Sequence, residues 1–134
     1  MGERALVPVK VILFGLSGGN VLVVKEEGRL KLPETWLARG ETLCAAASRL
    51  AQSLVGSSKH VKIVAVVWFT EAREPEYHLV FAVEGFIDVD IVEEEKMLML
   101  RVGDAAKLVD DPVHRTFLEI MHHFKPRPLL VCSL

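Results

Sequence analysis

A chain of 134 residues can bury a full core without disulfide or metal staples but is short for two ordinary domains, so one domain over 1–134 is expected. Its formal net charge of −2 gives no basic field for long DNA or RNA, and no apolar run approaches the roughly twenty residues of a spanning helix. Long nucleic acid and membranes are therefore excluded as partners and a cytoplasmic location is expected, while a mean hydropathy of +0.32 points to strong core burial or to an apolar surface used in a homodimer.

Residues 7–14 form a β-branched, apolar run, Leu16-Ser17-Gly18-Gly19-Asn20 carries turn chemistry, and residues 21–25 are apolar again, which reads as a hairpin. Glu26-Glu27-Gly28 marks a second turn before a short strand at 30–32, which Pro33 ends. Thr42 is a good N-cap, residues 43–55 are rich in Ala and Leu, and Gly56 stands where a left-handed C-cap belongs, so a helix over 43–55 is predicted. Leu43, Ala46 or Ala47, Leu50 and Leu54 recur at helical spacing and give it one apolar stripe.

Beyond that helix, residues 61–69 and 77–89 are strongly β-prone and flank the charged turn 71–76, so they should pair antiparallel. Neither alternates cleanly, as befits central strands covered on both faces. Residues 97–102 make a weaker strand and 104–109 a helical turn. Asp111-Pro112 starts a further helix ending near Phe124, with Phe117, Ile120, Met121 and Phe124 as its stripe. The prolines Pro126 and Pro128 stop it, and the tail within 125–134 is apolar enough to dock on a sheet edge or on a partner chain. Cys44 and Cys132 have no ligand-like spacing and read as reduced thiols. Strands, a helix, long antiparallel strands and a closing helix predict an α/β fold with a mixed sheet between helices.

The segment from Gly40 to Gly56, GETLCAAASRLAQSLVG, resembles the signature of the Nudix hydrolase superfamily, a loop-helix-loop that positions divalent metal against a nucleoside diphosphate linkage. Counting from Glu41 places Arg49 and Gly56 where the family pattern requires Arg and Gly. The pattern's opening Gly falls on Thr35, the Glu after its Arg on Leu50, its Glu-Glu pair on Ser53 and Leu54, and its last apolar place on Ser57. The Gly-Gly pair that most members carry after Leu-Pro is replaced by Glu34-Thr35. The resemblance spans essentially the whole chain and implies a Nudix-like α/β/α sandwich.

The substitutions change the expected chemistry. Mg²⁺ and Mn²⁺ are hard cations that want several oxygen ligands, which carboxylates three and four apart on one helical face supply and Leu50, Ser53 and Leu54 do not. No metal is expected on the helix and no cofactor in the domain. Glu41 is the one box carboxylate in place; it reads first as a loop carboxylate engaging backbone amides, and Arg49 as a structural hydrogen-bond donor. The leading expectation is a domain without hydrolase activity that binds a nucleotide-type small molecule or a protein partner, with Trp36 and Tyr77 as candidates for stacking a base. The alternative is a Mg²⁺- or Mn²⁺-dependent hydrolase of nucleoside diphosphate derivatives, with Glu41 holding metal and a base drawn from Glu71, Glu74, Glu76 or Glu93-Glu94-Glu95. A third reading is a purely structural homodimer whose cleft is filled by its own side chains. The five histidines show no metal-ligand spacing.

Overall fold

The computed structural model describes residues 7–55, 61–87, 96–123 and 130–131. In chain order the elements are β1 (Val9–Ser17), β2 (Asn20–Glu26), β3 (Arg29–Lys31), β4 (Glu34–Trp36), α1 (Leu43–Val55), β5 (Val61–Ala72), β6 (His78–Ile87), β7 (Met97–Arg101), α2 (Val102–Leu108), α3 (Pro112–His123) and β8 (Leu130–Val131).

In β1, Val11 and Leu13 point to one face while Ile12 and Phe14 point to the other, and all four are fully inaccessible. A strand apolar on both faces needs a layer on each side. β1 accordingly lies inside a mixed sheet of order β3-β2-β1-β6-β5-β8, parallel to β6, with β4 pairing β1 and β7 pairing β2. On one face Ala46, Ala47, Leu50 and Ala51 of α1 pack on Val11, Leu13, Ile63, Val66 and Val83. On the other, Phe117 and Leu118 of α3 and Ala105 and Ala106 of α2 pack on Ile12, Phe14, Val80 and Ala82. The result is the expected α/β/α sandwich.

Two turns follow from their residues. Gly18 and Gly19, and then Glu27 and Gly28, all have positive φ and join strands through two central residues, as a type I′ hairpin turn requires. β5 reconciles its uneven pattern with two register irregularities against β6, between Ile63 and Ala65 and between Val66 and Trp68. Each adds a residue to one face, so Val64 and Ala65, and again Val67 and Trp68, pack on the α3 side. That is why this strand does not alternate cleanly.

The sheet opens between β1 and β2. They pair only at Leu16–Val21 and Ser17–Asn20, after which β1 turns to β4 at Lys10–Trp36, Val11–Thr35 and Ile12–Glu34. Between these stretches the Leu13 amide donates to the Pro33 carbonyl over 2.9 Å. β2 meanwhile pairs with β3 and β7, and a wedge lies between this unit and α1, whose Leu54 and Val55 pack on Leu22 and Met97.

Several expectations are corrected. Pro33 ends the strand before it, yet the chain re-enters the sheet at once, because the edge of β1 that β2 vacates recruits β4. The stripe of α3 holds at Phe117, which is buried, and at Met121, which packs on the core, but His114 and Leu118 are buried with them, Ile120 is only partly covered, and Phe124 lies outside the described residues. Phe69 is 55% exposed, so the outer half of β5 runs past its helical cover. Cys44 is disulfide-bonded, which overturns the reading of reduced thiols; Cys132 lies outside the described residues, as does the expected C-cap Gly56. In the tail, Leu130 and Val131 pair antiparallel with Val66 and Ala65, which is docking on a sheet edge of the same chain. Among the described residues no helix is long and apolar enough to cross a membrane.

Candidate functional site

The loop before α1 and the helix itself are tied together by one guanidinium. The Thr42 hydroxyl accepts from the Ala45 amide at 3.1 Å, which starts the helix and sets the direction in which Arg49 leaves it. Arg49 Nε donates to Glu41 Oε2 at 2.9 Å and Nη2 to Glu41 Oε1 at 3.0 Å, a bidentate pair. The same side chain donates to Thr35 Oγ1 at 3.2 Å and to the Trp36 carbonyl at 3.1 Å, joining α1 to β4. The Ala38 amide also donates to Glu41 Oε1, at 3.1 Å. Arg49, with the Ala38 amide, holds the Glu41 carboxyl below the usual carboxylate range. Both expectations for this pair agree with the geometry: Glu41 engages a backbone amide, and Arg49 is a structural donor.

The wedge beside α1 is a cleft of about 500 Å³. Leu50, Ser53 and Leu54 of α1 line one wall, and Val24, Pro33 and Met97 extend the apolar lining. Lys25, Lys31 and Lys96 line it together with Glu26 and Glu34. The side chains of the described residues leave it open.

Glu34, on the cleft, is anchored from the opposite layer. His114 in α3 is 1% exposed; its Nδ1 accepts from the Leu32 amide at 3.1 Å, so the ring proton resides on Nε2, which donates to Glu34 Oε2 at 2.8 Å. Lys10 Nζ adds an ion pair to Glu34 Oε1 at 3.7 Å. Burial pushes the Glu34 carboxyl up, but the hydrogen bond from His114 and the charges of Lys10 and Lys31 outweigh it and hold the group below the ordinary range.

Solved structures show the same architecture. A Nudix hydrolase from Nitrosomonas europaea superposes with a TM-score of 0.67 at 18% identity, over 92% of this chain and 77% of that one. The fold is that of the Nudix hydrolases. The Ap4A hydrolase of C. elegans matches at a TM-score of 0.68 and 16% identity, over 87% of this chain and 97% of that one. The E. coli dihydroneopterin triphosphate pyrophosphohydrolase matches at 0.53 and 16%, over 84% and 92% of the two chains. No protein-family model and no curated protein matches the sequence.

Leu50, Ser53 and Leu54, onto which the sequence resemblance maps three carboxylates, come together on the cleft wall. They do not fit a divalent cation. Two are hydrocarbon, and the third, Ser53, gives its hydroxyl proton to the Leu50 carbonyl at 2.7 Å. Glu41 is not among the residues lining the cleft, and both its oxygens already accept from Arg49. Among the described residues no group of three or more His, Cys, Asp or Glu side chains is arranged to hold a metal.

Trp36 and Tyr77 do not line the cleft either. Trp36 is half exposed, with Lys10 Nζ 4.8 Å above its ring and the His78 ring edge-on at 5.2 Å, while Tyr77 is exposed on the β5–β6 connection. Glu71 and Glu74 line recesses elsewhere, and Glu93, Glu94 and Glu95 lie outside the described residues. Sequence reasoning missed Glu34, His114 and the three lysines. Glu34 and His114 are 80 positions apart, and isolated charges in strands carry no motif. The only signal was Glu34-Thr35 standing where the family resemblance calls for glycines.

Proposed function

We propose that this chain is a non-hydrolytic Nudix-fold domain that binds a nucleotide-type small molecule in the cleft beside α1. The observation that carries the reading is the composition of the cleft wall. The places that would hold metal-binding carboxylates are Leu50, Ser53 and Leu54, so the electrostatic stabilisation that drives water onto a diphosphate has no source there. Glu41, the remaining box carboxylate, serves Arg49 and the Ala38 amide. An open cleft with an apolar wall and a few charged groups still suits a small molecule better than a self-filled dimer seam. The nature of the ligand follows by analogy with neighbours that are described as acting on Ap4A and on dihydroneopterin triphosphate.

The test pairs binding with turnover. Nucleoside diphosphate derivatives are incubated with the wild type and with Glu41→Gln, in Mg²⁺ and in Mn²⁺, and phosphate and nucleotide release are followed beside equilibrium binding. Binding without turnover is expected. Turnover that vanishes in Glu41→Gln would overturn the non-hydrolytic reading and favour the hydrolase alternative.

A further inference from the structure

We infer that the disulfide of Cys44 runs to Cys132 and is a reducible latch that holds the last strand, β8, on the outer edge of β5.

Cys44 is disulfide-bonded within a single chain, and the other cysteine of that chain is Cys132. The register of β8 brings the two to the same side of the sheet. Val66 belongs to the core under α1, and Ala65 to the core under α2 and α3. Leu130 pairs with Val66 and Val131 with Ala65, so the two-residue period of an extended chain returns the next position, 132, to the α1 face. Cys44 lies in the first turn of α1 and packs on the cluster of that same face, which includes Ile63 and Val66.

β8 needs such a tie. It is two residues long and joins β5 through two pairs, which is shorter than strands usually are. A cross-link from α1 to position 132 closes most of the chain into one loop, and a disulfide restricts the unfolded chain more as the loop it closes grows longer. Among the described residues β8 is the outermost strand on its side of the sheet. Its release would bare backbone groups of Ala65 and Val66, and a strand edge freed in this way is a template for another strand.

Opening the latch takes a dithiol reductant. Its thiolate attacks Sγ of Cys132, the Sγ–Sγ bond breaks, and the Cys44 thiolate departs at the N-terminal turn of α1, where a helix favours negative charge. The second thiol of the reductant then displaces Cys132 from the mixed disulfide. Two electrons and two protons pass to the two cysteines, and the reductant is left as a disulfide. The strand is therefore held in an oxidising compartment and released in a reducing one.

The full chain is incubated with oxidised glutathione, alkylated without reductant and digested with trypsin. Peptide 40–49, which carries Cys44, should appear joined to peptide 116–134, which carries Cys132 and stays whole because Lys125 and Arg127 are each followed by proline. Dithiothreitol should separate them. Hydrogen exchange followed by mass spectrometry then reads the latch. After reduction, the amides of 130–131 and those of β5 at Ala65 and Val66 should exchange roughly tenfold faster, as in a segment that passes from protected to locally open, while β1 in the core stays protected. Cys132→Ser should show the same fast exchange without reductant, with circular dichroism confirming that it is folded. Unlinked peptides, glutathione adducts in place of the link, or Cys44 joined to a second chain overturn the pairing. Linked peptides whose exchange is the same before and after reduction overturn the latch.

Discussion

His114 Nε2 donates to Glu34 Oε2 over 2.8 Å, so a ring buried in α3 fixes a carboxylate on the cleft beside α1. The contact runs from one helical layer to the site formed by the other. It also uses the ring completely, since Nδ1 accepts the Leu32 amide.

The pair sets a pH dependence. Glu34 titrates below the usual glutamate value, burial opposing the shift and His114, Lys10 and Lys31 producing it. A carboxyl depressed on folding stabilises the native state above its unfolded pKa, about 4.3, and that stability is lost as pH falls through the lower folded value. Thermal unfolding from about pH 7 to about pH 3 should therefore show a shallower acid limb in Glu34→Gln than in wild type. Parallel acid limbs would refute the role given to Glu34.

Replacing His114 tests the other half of the contact. His114→Leu keeps an apolar side chain in the core but leaves the Leu32 amide without its acceptor, an expected loss of about 1–3 kcal/mol in urea unfolding. A loss within experimental error would mean that the amide finds another partner.

Thr42→Ala removes the acceptor of the Ala45 amide at the start of α1. The expected cost is about 1 kcal/mol, and Thr42→Ser should restore most of it.

Restoring a box carboxylate should be costly at one place and cheap at another. Leu50 is 9% exposed and packs on Val11, Leu13 and Val83, so Leu50→Glu should lower unfolding free energy by about 2–5 kcal/mol, the range for losing a packed leucine. Ser53 is exposed, and Ser53→Glu should stay within about 0.5 kcal/mol of wild type. Similar values for the two would show that Leu50 is not part of the core.

Cys44 is disulfide-bonded. Alkylation of the purified protein without reductant should leave it unlabelled, and labelling should appear after treatment with dithiothreitol, read by peptide mass spectrometry. Full labelling before reduction would return Cys44 to the thiol state that its sequence context suggested.

The amino-acid sequence by itself determined the parts whose causes are local. Thr42 followed by an Ala- and Leu-rich run fixes α1, Gly18-Gly19 and Glu27-Gly28 fix two hairpin turns, and Asp111-Pro112 fixes the start of α3, where Asp111 Oδ1 accepts the Val113 and His114 amides. These signals act within a single turn or between adjacent strands, so they survive without knowledge of the fold. Glu41 as a loop carboxylate on a backbone amide and Arg49 as a structural donor were legible in the same way, whereas the bond between the two came only from the structure. Tertiary structure alone decided the rest. β4 is a strand because β1 outruns β2 and has an edge to fill, and no property of Glu34-Thr35-Trp36 announces that. α3 buries His114 and Leu118 beside Phe117 because the face it turns inward is set by packing against Ile12, Phe14 and the Leu32 amide. Glu34 and His114 meet only when β4 and α3 are brought together across the fold, since a contact 80 positions apart in the chain has no local signal.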